Sequence, residues 1–81
     1  MSEQMGLSKD KLNPEHYARS RASVGQLFSM TPASLQCTEE EFHDLAVQMI
    51  RTGGGQSFEL VRPEESTTSG RYFALYCRRT A

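Results

Sequence analysis

The sequence predicts an α+β domain in which one or two helices pack on a small antiparallel sheet containing a C-terminal β-hairpin. Three observations lead there. Residues 38–55 carry one amphipathic helix with its own start and stop signals. Residues 57–62 (SFELVR) and 71–79 (RYFALYCRR) are rich in aromatic and β-branched side chains, as strands are. The chain has only 81 residues, room for a single hydrophobic core and no second domain.

In chain order, residues 1–12 mix polar and charged side chains with isolated apolar ones and show no period, so they read as a flexible N-terminal arm, with residues 13–81 as the domain. Asn13 and Pro14 then open a helix. Asparagine caps well, proline is accepted at the first helical position, and Glu15 suits the first turn. The helical pattern is clear over residues 15–23 and fades at Gly25. The run at 26–30 (QLFSM) is short and apolar, so periodicity leaves helix and strand both open there. Thr31 and Pro32 interrupt it, and residues 33–37 connect onward.

The central helix is the best-marked element. Thr38 and Glu41 form a TxxE capping box, in which each side chain reaches the other residue's backbone amide. Phe42, Leu45, Ala46, Met49 and Ile50 recur at steps of three and four, which gathers them on one face. Gly53, Gly54 and Gly55 end the helix, with Arg51 near its exposed carbonyls. His43 falls at the edge of the apolar stripe beside Val47, a place for a half-buried or contact residue.

Pro63 is expected to close the first strand of the hairpin, leaving an eight-residue link, PEESTTSG. Alternation assigns Phe58 and Leu60 with Phe73, Leu75 and Cys77 to the face that meets the helix. Glu59 and Val61 with Tyr72, Ala74, Tyr76 and Arg78 go to the other. A two-stranded ribbon is marginal in water, so a third strand is expected from residues 26–30 or from a second copy of the chain.

Composition narrows the chemistry. Apolar residues make up 37% and charged residues 23%, with a formal charge of −1, so no net field recruits nucleic acid or an anionic membrane. The charge is uneven, with an acidic middle and a basic C-terminal segment. No apolar run is long enough for a membrane span and no signal-peptide core is visible, which predicts a cytoplasmic protein. Cys37 and Cys77 are too few for a disulfide scaffold and read as buried thiols.

The triple glycine follows a helix and precedes a strand, the reverse of a phosphate loop. Cys37, Cys77, His16 and His43 have no metal-ligand spacing, and no motif marks a nucleophile. Neither a catalytic, a metal nor a cofactor site is expected. What remains is the Tyr and Arg strand. Val61, Tyr72, Tyr76, Arg78 and Arg79 are the candidate partner-binding residues, because tyrosine and arginine bury large area and still hydrogen-bond. The function expected is a small non-enzymatic module that binds another protein as a stoichiometric regulator, adaptor or inhibitor; the hairpin edge, a separate surface, is open to pairing with a partner strand, in a homodimer or a foreign sheet. The alternative is single-stranded nucleic-acid binding by strand aromatics and arginines, which the acidic balance disfavours.

Overall fold

The computed structural model describes residues 12–81. Its elements run α1 (Pro14–Arg21), β1 (Leu27–Met30), α2 (Glu39–Thr52), β2 (Phe58–Glu65) and β3 (Tyr72–Arg79). The three strands form one antiparallel sheet in the order β1-β3-β2, so the last strand is the middle one. The expected α+β arrangement is what the chain adopts, and residues 26–30 supply the third strand. Of the proposed arm, residues 1–11 lie outside the described residues; Leu12 is tied to the domain by its amide, which donates to the Leu35 carbonyl at 3.0 Å.

Local chemistry accounts for each helix end. Asn13 caps α1, its side chain accepting from the His16 amide at 3.2 Å. At α2 both halves of the box form: the Glu41 amide donates to Thr38 Oγ1 at 3.1 Å and the Thr38 amide donates to Glu41 Oε1 at 2.9 Å. Gly53 stops α2 in the left-handed region at φ 86°, its amide donating back to the Met49 carbonyl. Between β1 and α2, Thr31 and Ser34 bond each other's backbone reciprocally, folding a turn that buries Leu35.

Both helices lie over one face of the sheet. The core comprises Tyr17 and Ala18 from α1, Phe42, Ala46 and Met49 from α2, Met30, Phe58, Leu75 and Cys77 from the strands, and Leu35 from the turn. Leu45 is half-buried against it, but Ile50 is 41% exposed. At 3.6 residues per turn Ile50 lies about 80° around α2 from Phe42, past the reach of the strands beneath.

Two β-bulges change the hairpin from the expected simple alternation. The register steps from Leu60 opposite Cys77 to Arg62 opposite Tyr76, so Val61 is the extra residue on β2. It steps again from Glu64 opposite Ala74 to Glu65 opposite Tyr72, so Phe73 is extra on β3. Phe73 is consequently not part of the helix-facing core; it is 45% exposed in a surface cleft with Glu39, Ser69 and Arg71. Tyr72 packs against the core in its stead. Pro63 does not close β2 either. It sits within the strand opposite Leu75, which an edge strand tolerates because one side of its backbone needs no donor. The link is correspondingly short, closed by the Ser66 amide donating to the Arg71 carbonyl at 2.9 Å, with Gly70 at φ 74°.

A polar latch joins α1 to the start of β2. Glu15 accepts from the Gln56 amide at 2.7 Å through Oε2 and from the Ser57 amide at 3.0 Å through Oε1. Arg19 donates to Ser57 Oγ at 3.2 Å. These contacts crowd the glycines. A Cβ on Gly55 would collide with Glu15 Oε2, and one on Gly54, which bridges to Glu59, would meet backbone on three sides.

Candidate interaction surface

With the helices on one side, the opposite face of the sheet is left bare among the described residues. Register builds that face in rows. Leu27 on β1, Arg78 on β3 and Glu59 on β2 form one row; Ser29, Tyr76 and Arg62 form the next. Leu27 is 60% exposed and Val61, lifted by its bulge, is 52% exposed. Together with Ser29, Arg62 and Tyr76 they border a shallow groove of about 430 Å³.

The polar groups on this face are paired with one another. Arg62 places its guanidinium carbon 4.7 Å from the centre of the Tyr76 ring and lies 3.6 Å from Glu64 Oε1. Arg78 donates to Glu59 Oε2 at 3.3 Å. Both ion pairs sit in solvent and are worth roughly 0–1 kcal/mol each, so an incoming group can displace them at little cost. The tyrosine and the two aliphatic side chains then supply the area that can be buried.

Three of the five residues singled out from the sequence therefore share the bare face: Val61, Tyr76 and Arg78. Tyr72 does not, which corrects the expectation that it faces outward. The bulge at Phe73 turns it toward α2, where its ring stacks on His43 with centroids 5.3 Å apart and planes 16° apart. Its amide donates to His43 Nδ1 at 3.2 Å, an arrangement that puts the proton of the neutral imidazole on Nε2. Arg79 is also turned away. Its Nη1 donates to the carbonyls of Ala22 at 2.7 Å and Arg19 at 3.3 Å, capping α1, and its Nε donates to the Ala81 carbonyl. Sequence reasoning missed Leu27 and Arg62. Alternation within LFSM turns Leu27 to the face away from Phe28, which packs against the core, but only a strand assignment makes that visible.

Neither cysteine is in a disulfide. Cys37 is half-buried, whereas Cys77 has no exposed surface, and burial pushes its thiol up to about 12. A thiol so placed stays protonated at neutral pH and is a poor nucleophile. Among the described residues no three of His, Cys, Asp and Glu gather as metal ligands, and no helix is long and apolar enough to cross a membrane. Comparison with protein-family models, with curated proteins and with solved structures finds no match to this chain.

Proposed function

We propose that the protein is a small non-enzymatic binding module, acting as a stoichiometric regulator, adaptor or inhibitor of a partner protein that covers the bare face of its sheet. One observation carries the reading: a sheet buttressed on one side only, whose other side sets Leu27, Val61 and Tyr76 around a groove. An antiparallel sheet can leave one face in water, but that face is then normally polar. Here aliphatic side chains lie beside tyrosine and arginine, the residue types enriched where binding energy concentrates. A base-stacking platform is less well served, because Tyr72 has left the face and Arg62 already occupies the Tyr76 ring.

The test is affinity capture with wild type beside a Tyr76→Ser, Arg78→Ser variant whose fold is verified by NMR. Loss in the variant of a protein captured by wild type, reproduced with the two purified components, supports the reading. Capture of the same set by both overturns it. Light scattering on the purified chain separates a foreign partner from a second copy. Titration with a mixed single-stranded oligonucleotide at low salt covers the nucleic-acid alternative, for which binding would weaken steeply as salt rises.

A further inference from the structure

The sheet has two edges, and the chain treats them differently. On β2, Pro63 removes a donor and the bulge at Val61 bends the strand. The outward groups at its start are already bonded: the Phe58 carbonyl accepts from the Gly55 amide at 2.9 Å, and the Leu60 amide donates to the Gly53 carbonyl at 2.8 Å. These are the devices that keep another chain off an edge strand, so the free edge of the hairpin is closed. β1 has none of them. Leu27–Met30 holds no proline, no charge and no bulge. The Arg79 amide donates to the Gln26 carbonyl at 3.0 Å, so Gln26 faces β3 and, by alternation, Phe28 and Met30 do as well. Leu27 and Ser29 therefore turn their amides and carbonyls outward. Both residues are exposed, and no described residue bonds those groups.

We propose that a second copy of the chain occupies this edge, the two β1 strands pairing antiparallel about a two-fold axis at Phe28 to make one six-stranded sheet. In that register Leu27 of each copy lies opposite Ser29 of the other, and their outward amides and carbonyls close the ladder. Phe28 meets Phe28 on the helix side, and Leu27 meets Leu27 diagonally on the bare side, both favourable cross-strand pairs. Among the described residues Val24 and Leu27 are the two most exposed large apolar side chains, and both lie at this edge.

Charge selects the same arrangement. Among the described residues the Gln26 end of the sheet carries Arg19, Arg51, Arg78 and Arg79 against Glu15 and Glu59. The Met30 end carries Glu39, Glu64 and Glu65 against Arg71. Antiparallel pairing sets the net positive end of each copy beside the net negative end of the other, whereas the uncharged strands in between bring no like charges together. A four-residue ladder is smaller than the roughly 1,200 Å² that a stable complex buries, so the dimer is weak and reversible, with a Kd of about 0.1 mM. The two-fold keeps all four helices on one side. Both bare faces then lie next to each other on the opposite side, with Val61 and Tyr76 of each copy still uncovered.

The experiment is sedimentation equilibrium of the whole 81-residue chain from about 20 μM to about 1 mM, with amide hydrogen exchange followed by NMR at the same concentrations. Dimers are expected to form across this range. Exchange at Leu27 and Ser29 should slow about fourfold from the lowest to the highest concentration, while Phe28 and Met30, whose amides face β3, stay protected throughout. Leu27→Lys and Leu27→Glu each charge an exposed side chain outside the core and should each weaken association about tenfold. Mixing the two variants should restore it, because the two-fold sets residue 27 of one copy beside residue 27 of the other. A chain that stays monomeric at about 1 mM overturns the proposal, and protected Leu27 and Ser29 amides in that monomer would show the edge closed within a single copy. Association that Leu27→Lys leaves intact also overturns it. So does association weakened equally by Val61→Ser, which would move the contact from the edge to the bare face. The edge dimer does not use Tyr76, so its failure and the failure of the capture experiment are separate results.

Discussion

Substituting Gly53 and Gly54 by alanine one at a time separates two costs that adjacent glycines usually confound. Gly53 has φ 86° and open space where a Cβ would go, so Gly53→Ala meets only the left-handed backbone penalty. That penalty is roughly 1–2 kcal/mol, and the stiffer unfolded chain returns about 0.4–1 kcal/mol, leaving a loss near ~1 kcal/mol. Gly54 has φ 136°, a region almost closed to other residues, and its Cβ would lie 2.7 Å from Glu59 Cα, 2.7 Å from the Phe58 carbonyl oxygen and 2.9 Å from the Leu60 amide nitrogen. All three neighbours are backbone, so no rotamer change relieves the contact. The bridge to Glu59 must open, along with the Leu60 amide's bond to the Gly53 carbonyl, and the loss should be about 3 kcal/mol or more. A chain of this length has about 4–12 kcal/mol in total. Urea unfolding followed by far-UV circular dichroism reads the difference: with m near ~1 kcal/mol/M, the midpoint should fall by about 1 M for Gly53→Ala and about 3 M for Gly54→Ala. Equal losses in the two variants would refute the argument, because conformation alone would then set both costs.

Further substitutions test the caps, the latch and the core. Thr38→Ala removes the acceptor of the Glu41 amide while leaving the reverse bond in place, and should cost about 1 kcal/mol by the same unfolding assay. Glu15→Gln sets an NH₂ group against one of the two backbone amides that the carboxylate now accepts, a loss of about 1–2 kcal/mol for a partly exposed group. Cys77 should react with a thiol reagent only as fast as the chain unfolds, whereas Cys37, half-buried, should react sooner. Its pH dependence has a definite sign. The folded thiol holds its proton up to about 12 while the unfolded one loses it near 9.0, so the contribution is intact below 9.0 and declines between the two values. Wild type should therefore lose about 1 kcal/mol per pH unit in that window relative to Cys77→Val, measured as the gap between their unfolding midpoints.

Elements whose signals are local were readable from the chain alone. The box at Thr38 and Glu41, the stop at Gly53 and the cap at Asn13 each depend on residues within four positions of one another, and each forms as expected. Residues 26–30 were ambiguous because four residues of strand hold too few periods to exclude a helix; pairing with β3 decides the matter. The bulges were not legible, since an extra residue exists only relative to a partner strand. Their effect reached the candidate site: Tyr72 went to His43 and Phe73 to the surface, while Val61, Tyr76 and Arg78 fell together as expected. Arg79 resembled its neighbour Arg78 in sequence, and its capping of α1, more than fifty residues earlier, has no local signature.

The position of β3 also orders events while the chain is being made. Leu27–Met30 and Phe58–Glu65 have no ladder with each other, so both must wait for Tyr72–Arg79 to leave the ribosome. Until then the nascent polypeptide can hold little beyond its fourteen-residue helix, itself marginal in isolation. Translation that stalls before Tyr72 should thus release a chain without any sheet, open to proteases and chaperones, and folding proper becomes one late, cooperative event set off by a single segment.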